Sequence, residues 1–473
     1  MTHHSLQAVV LAAGRSSRFN TEKSKLTYII CGREMIAYNT HLLNELNLPA
    51  TYVVGYQKEQ IIPIIQKTSI GHPVFVEQDR QLGTGHAVLC SKASWTADHI
   101  LVMNCDQPLI NAELMQNFID AHFESNADCS FVVSYNSDPG LKGYGNVIKD
   151  QSGIKIVETK HTGESLYNCL INAGIYIFRR SFLEQEISNL QAASESGELY
   201  LTDLIQAASD KKFRVETYNA PFDIIRGVNT LKELWTVEHI KRSSLISYWM
   251  DKGVRFSTAQ NVHIDLDVTI GVGSYIGAGV LLVKGTKIGT NCWIDAYSFI
   301  GNSIIGDNVT VQPHSVINDS TLLSQSNVGP FAHIRSNSII GSRSTIGNFV
   351  EVNRSSIGNN TKAKHLSYLG DAHIGNQVNI GAGTITCNYD GFEKHTTVIE
   401  DEASIGANNS LIAPITIGKG ACTGAGSTLN QSVPSNALAI ARARQTTKLN
   451  YVKELQAKRL LKLKQPTQSQ PEP

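Results

Sequence analysis

IDLDVTIGVGSYIGAGVLLVKGTKIGTNCWIDAYSFIG, residues 264–301, puts an aliphatic residue at every sixth position: Ile264, Ile270, Ile276, Leu282, Ile288, Ile294 and Ile300. Gly follows the aliphatic residue at Gly271, Gly277, Gly289 and Gly301. With aliphatic residues at roughly a quarter of positions, such a run arises by chance about once in ten thousand frames. The ladder resumes at Ile305, Val311 and Ile317, then at Val328, Ile334, Ile340, Ile346 and Val352, and again at Ile399, Ile405, Leu411 and Ile417. A period of six belongs to neither a helix nor simple strand alternation. Each hexad is therefore a short extended piece plus a bend, with the aliphatic residue inward and Gly suited to the bends. One hexad cannot bury its apolar face alone, whereas stacked coils bury a column of Ile and Val.

The repeats fill nearly half of the 473 residues, leaving room for further domains with cores of their own. Lys plus Arg (41) equal Asp plus Glu (41), so no global field favours nucleic acid or membrane, and any phosphate binding is local. The eight cysteines are scattered without a CxxC pair, which argues against zinc and against a disulfide framework and points to a reduced, cytoplasmic setting. The chain shows no charged-then-apolar leader and no apolar run long enough to span a bilayer, so no membrane insertion is expected.

Between residue 7 and about 229, apolar runs (AVVLAA, TYVVGY, HPVFVEQ, HILVMNCD, CSFVVSY) alternate with amphipathic stretches, one of them a helix around Met35 to Asn47. The pattern predicts an α/β domain over 1–229. Leu231, Leu234, Val237, Ile240 and Leu245 are spaced like one helix face, with Gly253 as a stop, which predicts a helical linker over 230–253. The repeat domain is expected over 254–440, with one large interruption at 381–398. A basic helix-like segment and QPTQSQPEP form a partly disordered tail over 441–473.

LAAGRSSRF (Leu11 to Phe19) follows a strand, where loop amides can meet a phosphate and Gly14 permits close backbone approach. It is neither a Walker A loop nor a GxGxxG fingerprint. Arg18 and Lys25 on the same connection add two cations suited to phosphate charge. Asp106 ends the run HILVMNCD, at the carboxyl edge where ligands of an open α/β sheet bind. In the second half, AKHLSYLGDAHIGNQVNIGAGTITCNYDG (Ala363 to Gly391) interrupts the hexads with polar residues that a purely structural coil does not need. A reaction that must remove a proton near neutral pH needs a base, and His is the side chain that ordinarily titrates nearest neutrality. His365, beside Tyr368 and upstream of Asn379, Asn388 and Tyr389, is the candidate.

The ordered motifs LAAG, EQDRQLGTGHA (Glu77 to Ala87), NCDQPL (Asn104 to Leu109), GYG (Gly143 to Gly145), VE (Val157, Glu158), INAG (Ile171 to Gly174) and GVN (Gly227 to Asn229) resemble sugar-nucleotide pyrophosphorylases. With the repeat half, residues 7–445 resemble the bifunctional N-acetylglucosamine-1-phosphate uridylyltransferase and glucosamine-1-phosphate N-acetyltransferase family. The resemblance implies a Rossmann-like mixed sheet followed by a left-handed, three-sided parallel β-helix with eighteen residues per coil, in a homotrimer. It implies Mg²⁺ on Asp106 and Asn229. Leu11, Ala12, Ala13, Gly14, Lys25, Asn104 and Cys105 would lie along UTP, with Gln78, Gly83 and Thr84 at the uracil and Gly145, Glu158 and Asn172 at the acetylated sugar. Arg18 and Lys25 would serve a sugar 1-phosphate attack on the α-phosphorus, with pyrophosphate leaving.

For the second reaction the resemblance makes His365 the proton acceptor and places Arg335, Asn353, Tyr368, Asn379 and Lys394 at glucosamine 1-phosphate. Ala382, Asn388, Tyr389, Ala407, Ala425 and Arg442 would lie along acetyl-CoA, in sites shared by neighbouring subunits. The pattern departs at Ser16, Ser24, Asn146 and Arg226 in the first half. It departs in the second at Asn353, where the family carries a phosphate-binding Lys, and at Ala407, where it carries Ser. Arg354 is adjacent, but strand alternation predicts that it points to the opposite face. Two functions remain open at this level: synthesis of UDP-N-acetylglucosamine in both steps, or nucleotidyl transfer with a β-helix that is mainly a trimerisation scaffold.

Overall fold

The computed structural model describes residues 5–15, 17–19, 23–137, 142–151, 153–158, 167–193 and 197–463; Ser16 and the expected tail from residue 464 lie outside them. The chain divides into two compact units, Met1–Ile305 and Gly306–Pro473.

The first unit opens with β1 (Leu6–Ala12), α1 (Met35–Glu45), β2 (Ala50–Val54), β3 (Val74–Glu77) and α2 (Thr84–Cys90). There follow β4 (His99–Asn104), β5 (Cys129–Asn136), β6 (Gly145–Asp150), β7 (Gly153–Glu158), β8 (Cys169–Arg179), β9 (Val215–Asn219) and α3 (Leu231–Asp251). The sheet order is β9-β5-β8-β4-β1-β2-β3, with β6 and β7 as a ribbon beside β8. β1 runs parallel to β2 and β4, while β8 runs antiparallel to β4 and β5, so the sheet is mixed. The expected apolar runs are its central strands, and Val9, Val10, Leu101, Val102, Phe131 and Ile177 are fully buried between helical layers, as strands covered on both faces must be. In register, Leu11 lies beside Asn104, so the loops after β1 and β4 leave the sheet side by side.

α3 occupies the predicted linker, but its buried face is narrower than the predicted stripe: Val237 and Ile246 are buried, Leu231 is exposed, and Lys241 lies within reach of the Tyr38 ring. Part of the packed face is thus built from cationic stems.

The hexads form a left-handed parallel β-helix. In the first unit, Ile264 pairs with Leu282 and Leu282 with Ile300, each eighteen residues on, while Ile270 over Ile288 and Ile276 over Ile294 make the other two sides. In the second, columns such as Leu322–Ile340–Ile357–Ile374–Ile399–Ile417 continue the pattern. Every aliphatic residue of the predicted ladder is buried. The breaks are single-residue deletions: coils there span seventeen residues, as from Asn348 to His365, and the inward face is kept because the corners absorb the loss. The interruption lengthens one coil, so that Asn379 pairs with Ser404.

Gly271 shows that the glycine after the aliphatic residue does not make the bend. A Cβ there would lie 2.5 Å from the carbonyl of Gly289 on the next coil. Left-handed backbone falls later, at residues such as Gly273 and Asn291. Glycine follows the inward residue because the coils stack closely there.

Candidate active sites

The first site is built where β1 and β4 end. Asp106 follows β4, and its backbone oxygen accepts from Val228 N at 2.9 Å, which draws the 227–229 segment alongside. Lys25 Nζ, on a short 3-10 turn capped by Ser24, donates to Asp106 Oδ2 (2.6 Å), Asn229 Oδ1 (3.1 Å) and Val228 O (2.9 Å). Arg18 Nη2 donates to the same Asn229 oxygen at 3.0 Å. Asp106 and Asn229 therefore converge on one cation, the Lys25 ammonium. A hard cation takes oxygen donors, and this pair already acts as one, so the residues fit a Mg²⁺ ion. Among the described residues no group of three or more His, Cys, Asp or Glu side chains gathers as a metal site, so the pair here would rely on ligand oxygens to complete a shell.

Helix α3 positions Asn229. Thr230 is its N-cap: the hydroxyl accepts from Glu233 N (3.2 Å), and Glu233 Oε2 accepts from Asn229 N (2.7 Å). This is a reciprocal cap, here reaching one residue further back than the usual box. Tyr144 contributes from below, its hydroxyl accepting from Gly227 N at 2.9 Å. Burial pushes that phenol up to about 12, so it stays a neutral hydroxyl at physiological pH. Gln107 is a positioning residue the motif reading missed. Its buried amide nitrogen donates to Ala173 O (2.7 Å) and Ile225 O (2.8 Å), tying the Asp106 turn to β8 and to the segment before Asn229. It lies within the quoted NCDQPL run, but nothing local to it marks its partners.

Gln78, Gly83 and Thr84 form one cluster. Gln78 is buried and its amide donates to Gly83 O at 3.1 Å, and Thr84 Oγ1 accepts from Leu201 N at 3.1 Å. Gly83 has φ +96 and caps α2; a Cβ there would lie 2.5 Å from Leu199 O. Gly83→Ala is expected to cost about 1–3 kcal/mol locally. A fall of that size in unfolding free energy, measured by denaturant titration against the parent, is the expected result.

Gly145, Glu158 and Asn172 form a second cluster. Gly145 and Glu158 are register partners, and Thr202 Oγ1 donates to Glu158 Oε1 at 3.1 Å. Asn172 sits at a bulge in β8 and donates to Tyr176 OH at 2.6 Å. Gly174, just beyond, has φ +74 and leaves room for the Asn104 amide. Ala12 and Ala13 are buried beside Leu11, Gly14 is exposed, and Cys105 is buried, its thiol held protonated by burial. Arg226 is engaged with Asp223 at 2.8 Å and stacks on Phe222.

The second site lies in the second unit, on two strands of unusual length, Thr345–Asn353 and Lys362–Gly370. They pair through a corner, with Asn348 beside His365 and Glu351 beside Tyr368. His365 is exposed and its Nδ1 lies 3.0 Å from Asn348 Oδ1. An amide oxygen facing Nδ1 favours the tautomer with its hydrogen on Nδ1, which leaves Nε2 as the acceptor. Asn348 was not anticipated. It stands seventeen residues before His365, a signal readable only once the coil length is known.

Arg335 donates from Nε and Nη2 to Glu351 Oε1 at 2.9 and 2.7 Å. Arg335, Asn353 and Gly370 stack in register on successive coils. Asn353 is buried, and its Nδ2 lies 3.4 Å from Tyr368 OH, which occupies the space that a side chain at Gly370 would fill. The prediction for Arg354 fails. The residue turns the corner with φ 50, so strand alternation does not apply to it, and its Nη1 donates back to Asn353 Oδ1 at 3.2 Å. Its Nε and Nη2 hold Asp371 at 2.7 and 2.9 Å, and the Asn388 amide donates to the same carboxylate. These donors hold Asp371 below the usual carboxylate range, Arg354 foremost and then Asn388, with Lys394 adding its charge.

Asn379 is exposed, in register with Lys362 rather than with Tyr368. Tyr389 and Lys394 pair across the excursion that lengthens the coil, and His395 N closes it onto Asn388 O at 2.8 Å. Ala382, Ala407 and Ala425 recur at one corner of successive coils, where Asn408 N donates to Ala382 O and Gly426 N to Ala407 O. Their small side chains leave a smooth surface, and Arg442 is exposed beyond it.

Sequence relationships agree with this two-site arrangement. A MobA-like NTP transferase domain matches residues 8–193, a GMPPB C-terminal domain residues 252–341, and a hexapeptide repeat of succinyl-transferase residues 396–431. Over 454 residues the chain is 40% identical to the bifunctional protein GlmU of Thermodesulfovibrio yellowstonii, covering 95% of this chain and 99% of that one. The chain belongs to the GlmU family. GlmU relatives from Geobacillus sp. (39% identical, 96% of this chain and 98% of theirs) and Synechococcus elongatus (40%, 93% and 97%) span the same two halves. All eight cysteines of this GlmU family member are free thiols, and among the described residues no helix is long and apolar enough to cross a membrane.

Proposed function

We propose that this GlmU family enzyme makes UDP-N-acetylglucosamine in two steps, each at its own site. In the β-helix, the amine of glucosamine 1-phosphate attacks the thioester carbon of acetyl-CoA. His365 Nε2 takes the amine's proton, the C–S bond breaks, and the CoA thiol leaves. In the α/β domain, a phosphate oxygen of N-acetylglucosamine 1-phosphate attacks the α-phosphorus of UTP, and the bond to the bridging oxygen breaks to release pyrophosphate. That transfer needs positioning and charge neutralisation more than a base.

The convergence of Asp106 and Asn229 on the Lys25 ammonium carries the reading of the first site. Those two oxygens would hold Mg²⁺, which when bound neutralises phosphate charge. Lys25 would then turn from Asp106 to the triphosphate, with Arg18 beside it. Gln78, Gly83 and Thr84 serve the uracil, and Gly145, Glu158 and Asn172 the sugar, with Leu11 to Gly14, Asn104 and Cys105 along the nucleotide. In the second site Arg335, Asn353, Tyr368, Asn379 and Lys394 serve the amino-sugar phosphate. Ala382, Asn388, Tyr389, Ala407, Ala425 and Arg442 serve acetyl-CoA, with three copies of the chain completing one another's clefts. The division into a uridylyltransferase over 1–229, a linker over 230–253 and an acetyltransferase coil over 254–440 follows. The free thiols suit a reduced cytoplasm.

Two assays test the reading: thiol release from acetyl-CoA with glucosamine 1-phosphate, and pyrophosphate release from UTP with N-acetylglucosamine 1-phosphate. Both are expected. Pyrophosphate without thiol would return the coil to a scaffold, a reading disfavoured by relatives named bifunctional over both halves.

A further inference from the structure

Of the residues proposed at the amino-sugar phosphate, Arg335 is already paired with Glu351, and Asn353, buried and uncharged, adds no charge. We propose that Arg354 is the specificity-determining cation, and that it grips the 1-phosphate of the amino sugar through the outer edge of its guanidinium while Asp371 holds the inner edge. The inference rests on the acetyltransferase reading of this coil.

The geometry supports it in three ways. First, the guanidinium is fixed: Nε and Nη2 are committed to the two oxygens of Asp371 at 2.7 and 2.9 Å. A guanidinium has five N–H groups, so with Nη1 giving one to Asn353 Oδ1, the remaining hydrogens of Nη1 and Nη2 form an outward fork suited to two phosphate oxygens. Second, the fork is in the right place. Asn353 connects Arg354 to Tyr368 OH, placing the guanidinium two hydrogen bonds from the phenol that lies one coil above Glu351 and three residues after His365. Third, two cations face one carboxylate. Arg354 and Lys394 both act on the single Asp371 carboxylate, which the Asn388 amide satisfies further.

A planar fork is needed here, where an ammonium would act only as a point charge. Arg354→Gln should therefore raise KM for glucosamine 1-phosphate about 10- to 100-fold with kcat little changed, the signature of lost uniform binding. Arg354→Lys, which restores the charge without the fork, should recover only part of this. The rate with glucosamine, which lacks the phosphate, and KM for acetyl-CoA should stay within about twofold of the parent, a result that a merely structural role for Arg354 does not produce. An unchanged KM for glucosamine 1-phosphate in Arg354→Gln, or an equal loss toward glucosamine and acetyl-CoA, overturns the proposal while leaving the acetyltransferase reading intact. A parent enzyme that releases no thiol with glucosamine 1-phosphate overturns both.

Discussion

His365→Ala is expected to lower the rate of acetyl transfer by about 10² to 10⁴ and to leave pyrophosphate release at the parent level. The lower bound follows from what a positioned base contributes to proton transfer. The cause is specific to this ring: Nδ1 is engaged by Asn348 and Nε2 is the nitrogen proposed to take the amine's proton, while the side chain itself is exposed and supports no core. Truncation therefore removes chemistry without a cavity, and the inward ladder around it, Ala363 and Leu369, is untouched. Stopped assays with acetyl-CoA and a thiol reagent measure it. If His365→Ala keeps more than a tenth of the parent rate, another group is the base. Asn348→Ala should cost less than His365→Ala, since it loosens the ring's orientation without removing the acceptor.

Asp106→Asn produces the opposite separation. It keeps the shape of the side chain but removes the carboxylate that meets Lys25, so the oxygen pair with Asn229 loses its formal charge. Uridylyl transfer is expected to fall by about 10² to 10³, the scale set by removing one preorganised electrostatic contact from a transition state. The Mg²⁺ concentration for half-maximal rate should rise, because a hard cation loses its charged oxygen. Pyrophosphate release across a Mg²⁺ titration reads both effects, and thiol release serves as the internal control. Parent-like activity and Mg²⁺ dependence in Asp106→Asn would remove Asp106 from the site.

How much of this was legible in the residues depended on the range of the contact that carried it. The hexad ladder is local, and every rung it named is buried, because a period of six leaves one face of each side for the interior. The strand-end position of Asp106 was legible for the same reason, since an apolar run followed by a carboxylate puts the acid at the sheet edge. Glu233 could have been read too: Thr230 and Glu233 have the spacing of a helix cap. Gln107 and Asn348 could not be assigned roles, because their partners lie 66 and 17 residues away, and the second distance is meaningful only once the coil is known to contract to seventeen.

The chain alone determined its two architectures, its inward columns and the residue types gathered at each site, since periodicity and strand-end chemistry are written in neighbouring residues. Tertiary structure decided which cation meets which oxygen. Strand alternation sent Arg354 away from Asn353, yet a left-handed corner at φ 50 turned its guanidinium back onto that amide and onto Asp371, one coil on. A corner obeys the stacking of coils rather than the pleat of a strand, and stacking joins residues that sequence separates.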